Sequence, residues 1–347
     1  MSKKRLHIYV GLSGGVDSAV SAALLKKEGH EVTGVFIETW HPDFLECTWK
    51  EDRREAMRVA AHLDIPFVSL NLSDVYKKEV ADYFIAEYKA GRTPNPDVMC
   101  NQSIKFGAFL RFAKDQGADG IATGHYAQIK NKTELHCGAD SAKDQSYFLW
   151  TLPEEERAFV QFPIGGMQKS DVRAEASRLG LPNATRKDSQ GICFLGAVDL
   201  RAFLSEFMPV ESGDVVDTSG RSVGEHQGAQ LYTKGERRGF RVRHTSENDA
   251  PLFVLSTDVS TNTITVGEAA QLPKEKELQL VSVRFDTDIK DGVAEAAVRY
   301  RGVRHACSLR RETAKCAIVF EEPVTVAAGQ SVVVYRGERL VGGGVVA

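Results

Sequence analysis

Apolar and polar positions over the first 124 residues alternate between a strand period and a helix period. Leu6-His7-Ile8-Tyr9-Val10 is β-prone and mostly apolar, and Val20, Leu24 and Leu25 then recur at helical spacing until Gly29, a C′ stop. Val32-Thr33-Gly34-Val35-Phe36-Ile37 predicts a second strand, and Arg54, Met57, Ala60, Ala61 and Leu63 a second helix. Phe67-Val68-Ser69-Leu70 is strand-like, Val75 to Tyr88 and Ile104 to Phe112 are amphipathic, and Gly120-Ile121-Ala122-Thr123 is the next strand. Such alternation predicts an α/β fold with a doubly wound parallel sheet. Ligands of these sheets gather beyond the carboxyl ends of the strands, where Gly11 to Ser18, Ile37 and Gly124-His125 fall.

From about Ser170 to Phe207 the pattern stays helical, with Ser170 and Asp171 as caps ahead of Val172 and Ala176. Past Glu211-Ser212-Gly213-Asp214, glycine turns and alternating β-branched residues take over, as in Thr261-Asn262-Thr263-Ile264-Thr265-Val266. Val281 to Val283, Ala296 to Tyr300, Ala317 to Phe320 and Ser331 to Tyr335 predict antiparallel strands, so a small central β-rich domain and a C-terminal β-barrel are expected. The expected units are residues 1–208, 209–272 and 273–347.

Composition sharpens this only in places. The 347 residues exceed the usual domain length of roughly 100–200. A hydrophobic share of 42% with 26% charged residues argues against disorder. No stretch of about 18 uncharged apolar residues occurs, and the basic Met1-Ser2-Lys3-Lys4-Arg5 leads only into a short strand, so no membrane partner and a cytoplasmic setting are expected. A net charge of −3 gives no global drive toward nucleic acid. Such a partner would be held locally, by Lys234, Arg237, Arg238, Arg241, Arg243 and His244 or by Arg299, Arg301, Arg304, Arg310 and Arg311. The six cysteines, Cys47, Cys100, Cys137, Cys193, Cys307 and Cys316, show no Cys-x-x-Cys pair, which argues against a zinc ribbon or a disulfide framework.

Gly11-Leu12-Ser13-Gly14-Gly15-Val16-Asp17-Ser18 is the richest motif. Strand, glycine loop and helix start together put free N–H groups and a positive helix end where an anion could sit. No Gly-Lys-Ser/Thr ends it, so it is not a Walker A loop. A plain turn capped by Asp17 or Ser18 is the bland alternative. An acid such as Asp17 beside phosphates makes sense with a divalent cation between them. The string resembles the signature of the N-type ATP pyrophosphatases, which cut ATP between the α and β phosphates and adenylate an oxygen.

Cys100 lies in Gly91-Arg92-Thr93-Pro94-Asn95-Pro96-Asp97-Val98-Met99-Cys100-Asn101, which two prolines predict to be a stiffened loop rather than a helix. Cys193 lies in Lys187-Asp188-Ser189-Gln190-Gly191-Ile192-Cys193-Phe194. Taken singly, each reads as a buried structural cysteine sooner than as a reactive one. Together with Ala122-Thr123-Gly124-His125-Tyr126, Lys143-Asp144-Gln145-Ser146-Tyr147-Phe148-Leu149, Gly224-Glu225-His226-Gln227-Gly228, Arg299-Tyr300-Arg301, Gly329-Gln330-Ser331 and Gly342-Gly343-Gly344, these stretches occur in the order seen in the tRNA-specific 2-thiouridylases, which the chain resembles over nearly its whole length.

The resemblance implies ATP-dependent 2-thiolation of the wobble uridine of tRNA, by adenylation of the C2 oxygen. ATP would sit on Gly11, Leu12, Ser13, Gly14, Gly15, Val16, Asp17 and Ser18 with Ile37 and Gly124 near the adenosine, and Mg²⁺ on Asp17. Cys193 would carry a persulfide, delivered by a sulfur-relay protein or a cysteine desulfurase, and Cys100 would resolve it through a transient disulfide. Asn95, Pro96 and Asp97 would approach the target base, and Lys143, Asp144, Gln145, His125, Arg299, Tyr300 and Gln330 would touch tRNA. A single-stranded anticodon base suits this, because it is splayed into a pocket at less unstacking cost than a paired one. Alternatives are an iron–sulfur cluster held by Asp97, Cys100 and Cys193, an amide-forming pyrophosphatase, and an RNA-binding module without catalysis.

Overall fold

Buried β-branched runs with helices on either side organise the first half of the chain in the computed structural model, which describes residues 4–45, 49–188, 191, 193, 199–243, 250–312 and 315–347. Met1, Ser2, Lys3, Cys47, Ser189, Gln190, Ile192, Phe194 and His244 lie outside the described residues. Strands β1 (His7–Gly11), β2 (Glu31–Glu38), β3 (Phe67–Asn71) and β4 (Gly120–Ala122) are parallel, with Ile8 opposite both Val32 and Gly120. The short run Val160–Gln161 completes this sheet beside β4. Helices α1 (Val16–Lys27) and α2 (Trp49–His62) cover one face, over Ile8, Val10, Val20 and Val59. On the other face, residues 73–89 and 96–115 bury Tyr9, Val35, Phe84, Ile104 and Phe109. Burial on both sides is why β1 and β2 read as apolar runs rather than as alternation.

The Cys100 segment is not the loop expected from its prolines. Asn95 is an N-cap whose side chain accepts from the Val98 N–H at 3.2 Å, Pro96 is the first helical residue, and α3 (Pro96–Cys100) runs on through Asn101–Ala108 and Phe109–Asp115. Proline lacks only an N–H that a first helical turn leaves unused. The expected caps Ser170 and Asp171 are also displaced: α4 (Lys169–Arg178) begins after Gln168, and no side chain caps it. Between α4 and the helix Leu200–Ser205, the described residues are not helical. The strand expected over Ala296 to Tyr300 is Gly292–Ala297, with Arg299 and Tyr300 beyond its end.

Five strands between Gly213 and Glu268 form a second sheet around Val215, Tyr232, Val254, Ile264 and Val266. From Glu275 to Val346 six antiparallel strands follow, and the first, Glu275–Phe285, pairs with the last, Arg339–Val346, closing a barrel. A hairpin of the N-terminal half, Ala127–Lys130 with Glu134–Cys137, extends the barrel sheet through Leu135 opposite Leu340. Arg157 and Asp286, each 1% exposed, form an ion pair at 2.7 Å beside this seam, and Arg339 adds a second bond to Asp286 at 2.9 Å. Among the described residues no helix is long and apolar enough to cross a membrane.

Candidate functional site

The glycine loop is pinned from below and left open above. Leu12 and Val16 are buried, and Leu12 N–H donates to the Val35 carbonyl at 2.8 Å. Ser18 Oγ accepts from Ser13 N–H at 3.2 Å and donates to the Gly15 carbonyl at 3.1 Å, while Ser13 Oγ accepts from Gly15 N–H at 3.3 Å. Gly15 occupies the N-cap of α1 in extended geometry, and no side chain caps the helix. The first-turn amides are therefore available to an anion. Gly14 is held through its carbonyl by Asn183 Nδ2 at 2.8 Å and Arg186 Nη1 at 3.1 Å, with Arg186 also paired to Asp52.

Asp17 does not cap α1 either. Both its oxygens accept from Lys169 Nζ, at 2.7 and 2.8 Å, and Oδ1 also accepts from Tyr126 Oη at 2.8 Å. Lys169 reaches Asp188 as well, at 2.9 Å, and Asp188 collects Arg173 at 2.6 Å and Lys143 at 2.8 Å. Although partial burial works against it, hydrogen bonds from Lys143 and Lys169 hold the Asp188 carboxyl well below the usual range. The loop acid, Lys143 and the segment leading to Cys193 thus share one ionic network. Ile37 is buried near the carboxyl end of β2. Gly124 packs so closely on the start of α1 that a Cβ there would lie 2.8 Å from both the Asp17 carbonyl carbon and Ser18 N.

Cys100 and Cys193, 93 positions apart, meet: their Sγ atoms are 3.4 Å apart and not bonded. Cys100 is fully buried, whereas Cys193 is partly exposed. Asp97 Oδ1 accepts from Cys193 N–H at 3.0 Å, and Tyr76 Oη donates to the Cys193 carbonyl at 2.9 Å. The Cys100 thiol donates to the Cys193 sulfur, which, with the nearby Lys105 and against the effect of burial, brings the Cys193 thiol down to about 7. Burial and the same hydrogen bond push Cys100 up. Of the two, Cys193 therefore ionises first, close to neutral pH.

The remaining sequence-predicted residues fall in three groups. His125 is buried, its Nδ1 2.7 Å from Thr123 Oγ1 and its Nε2 3.4 Å from Lys105 Nζ, and burial holds it well below the ordinary histidine value. Asp144 and Gln145 shape their own loop: Asp144 Oδ1 accepts from Gly138 and Ser146 N–H, and Gln145 Oε1 accepts from Tyr126 N–H at 3.0 Å. Arg299 and Tyr300 line a cavity of about 370 Å³ with Asp144 and Tyr147, and the Tyr300 ring lies 4.3 Å from that of Phe148. Gln330 accepts from Ala327 N–H, next to where the Ala328 carbonyl accepts from Thr93 N–H, so the barrel abuts the approach to Asn95 and Pro96. Lys105, Tyr76, Tyr126, Lys169, Arg173, Asn183 and Arg186 were not singled out by sequence reasoning. Lys169 contacts Asp17 across 152 positions, a pairing that no spacing rule reports.

The description "tRNA methyl transferase HUP domain" matches residues 6–197, "tRNA methyl transferase PRC-barrel domain" residues 201–268, and "Aminomethyltransferase beta-barrel domain" residues 275–346. The tRNA-specific 2-thiouridylase MnmA of Streptococcus thermophilus is 41% identical to the chain, covering 99% of it and 95% of the relative. The chain belongs to the tRNA-specific 2-thiouridylase family. The thiouridylase of Enterococcus faecalis gives the same figures: 41% identity, 99% of the chain and 95% of the relative. Among solved structures, a 4-thiouridine synthetase–RNA complex with bound ATP overlays with a TM-score of 0.36 at 21% identity, covering 54% of this chain and 44% of that one. Thiouridylases of this family are tRNA-uridine 2-sulfurtransferases, and the α/β sheet, central β unit and closed barrel agree with the architecture expected from sequence.

Proposed function

We propose that this chain replaces the C2 oxygen of the wobble uridine of tRNA by sulfur, using ATP to activate the oxygen and the Cys193–Cys100 pair to deliver the sulfur. The observation that carries the reading is the 3.4 Å approach of those two thiols, the outer one partly exposed, the inner one fully buried, with the outer thiol shifted down and the inner one up. Contacts run from the pair through Lys105, His125 and Gly124 to the start of α1.

The uncapped amides of α1 and the Gly11 to Ser18 loop would hold the ATP phosphates, with the adenosine near Ile37 and Gly124. Asp17 is already paired with Lys169, so a metal bound by protein alone does not suit the site; Mg²⁺ arriving with ATP would be held by Asp17. There it would neutralise phosphate charge. The uridine C2 oxygen attacks the α-phosphorus and pyrophosphate leaves, so that C2 carries a phosphate ester in place of a very poor leaving group. The terminal sulfur of a Cys193 persulfide, loaded by a sulfur-relay protein or a cysteine desulfurase, attacks C2, and AMP departs with the C2–O electron pair. Cys100, losing its proton, then attacks Cys193 Sγ. The bond from Cys193 to the transferred sulfur breaks, its electron pair stays on that sulfur, and 2-thiouridine leaves a Cys100–Cys193 disulfide. A thiol reductant supplies two electrons and resets the pair.

Asp97 fixes the Cys193 backbone, and Asn95 and Pro96 would approach the target base. Lys143, Arg299, Tyr300 and Gln330 would carry contacts to tRNA. An iron–sulfur version fits less well, because among the described residues no three His, Cys, Asp or Glu side chains converge as a metal site. Methyl transfer or amide formation would leave the thiol pair without a task. The test is 2-thiouridine formation by Cys193→Ser with ATP, magnesium, a protein persulfide donor and unmodified tRNA. Loss of product supports the reading, and full activity overturns it.

A further inference from the structure

Lys105 has no part in the transfer sequence above, yet it stands against both sulfurs. Its place follows from an irregular winding. Residues Asn101–Ala108 are π-helical, with hydrogen bonds from i to i+5, and this brings Cys100 and Lys105 onto one side of the helix. Gly107 permits that winding, since a Cβ there would lie 2.6 Å from the Gln102 carbonyl oxygen, five residues back.

Among the described residues the charged and titratable groups facing the thiols are Lys105, Asp97 and Tyr76, and His125 stands behind Lys105. Asp97 is engaged with Cys193 N–H and Tyr76 with the Cys193 carbonyl. His125 is neutral, and with Thr123 on Nδ1 its Nε2 faces the Lys105 ammonium. Burial disfavours the Lys105 charge, but Cys193, Cys100 and Asp97 outweigh it and keep the ammonium protonated. Lys105 is thus the cation of this group, within hydrogen-bonding reach of the Cys193 sulfur.

Resting on the sulfur-transfer reading, we propose that Lys105 is a catalytic residue whose ammonium is the fixed positive charge holding the Cys193 sulfur as a reactive anion, first as thiolate and then as persulfide. In loading, the Cys193 thiolate attacks the terminal sulfur of a donor persulfide. The donor S–S bond breaks, the donor thiolate leaves with the electron pair, and Lys105 stays protonated throughout.

The experiment alkylates the full-length enzyme with iodoacetamide at pH 7 and follows the Cys193 peptide by mass spectrometry. Lys105→Met should slow Cys193 alkylation by about fivefold or more, because its thiolate fraction falls toward that of an ordinary thiol, and Lys105→Arg should stay within about twofold of wild type. Equal rates in folded Lys105→Met and wild type overturn the proposal. Should Lys105→Met fail to fold, Lys105→Gln carries the same comparison. A Cys193→Ser enzyme that still makes 2-thiouridine instead removes the underlying reading, and with it any place for Lys105 in catalysis.

Discussion

Replacing Gly107 by alanine sets two opposed effects against each other in the helix that carries Cys100. At an unconstrained helical glycine, alanine stabilises by about 1 kcal/mol. Here its Cβ would sit 2.6 Å from the Gln102 carbonyl oxygen, about 0.8 Å inside ordinary contact, with backbone rather than a yielding side-chain tip as the neighbour. Overpacking of this kind costs about 1–3 kcal/mol, so a net loss of about 1 kcal/mol is expected. Relief requires rewinding to i→i+4 hydrogen bonding, which turns Lys105 by about 100° relative to Cys100, one residue of helical phase. Urea denaturation of the full chain measures the first effect, and the initial rate of 2-thiouridine formation, expected to fall about tenfold, measures the second. A Gly107→Ala enzyme about 1 kcal/mol more stable than wild type and fully active would refute the reasoning.

Further outcomes follow from the same geometry. Because thiolate is the nucleophile and the Cys193 pKa is lowered to about 7, its alkylation rate should climb through about pH 7 and level off above it; a rate still rising at about pH 8.5, as for an ordinary thiol, would contradict the Cys100 hydrogen bond. Lys169→Met strips Asp17 of its cation beside the phosphate loop, while Asp188 keeps Arg173 and Lys143, and should weaken ATP binding at least about tenfold by equilibrium dialysis. Asp286→Asn strips the buried partner of Arg157 and Arg339 and should destabilise the chain by about 3 kcal/mol in urea, against no more than about 1 kcal/mol for an exposed pair such as Lys78–Glu79.

Much of the architecture was legible because it rests on local periodicity. The β1 apolar run, the glycine loop and the helical spacing of Val20, Leu24 and Leu25 sit next to one another in sequence, and each reports its own backbone. The Pro96 segment was misjudged although its signal was present, since Asn95-Pro96 is an N-cap followed by a first-turn proline. What sequence could not give was convergence. That Cys193 lies on Cys100, that Lys169 rather than a helix cap claims Asp17, and that the Glu134–Cys137 strand joins the barrel all depend on pairs far apart in the chain. The π-helical phase of Lys105 is hidden for another reason: its periodicity differs from the 3.6 residues that pattern reading assumes.

In the proposed reaction the two adjoining thiols hand one sulfur to an adenylated uridine. A single turnover, with Cys193 preloaded as persulfide and ATP, magnesium and unmodified tRNA added without reductant, tests it by mass spectrometry of both partners. One oxygen-for-sulfur exchange in tRNA is expected for each Cys100–Cys193 disulfide formed, and neither without ATP. Thiolated tRNA accompanied by two free thiols would contradict it.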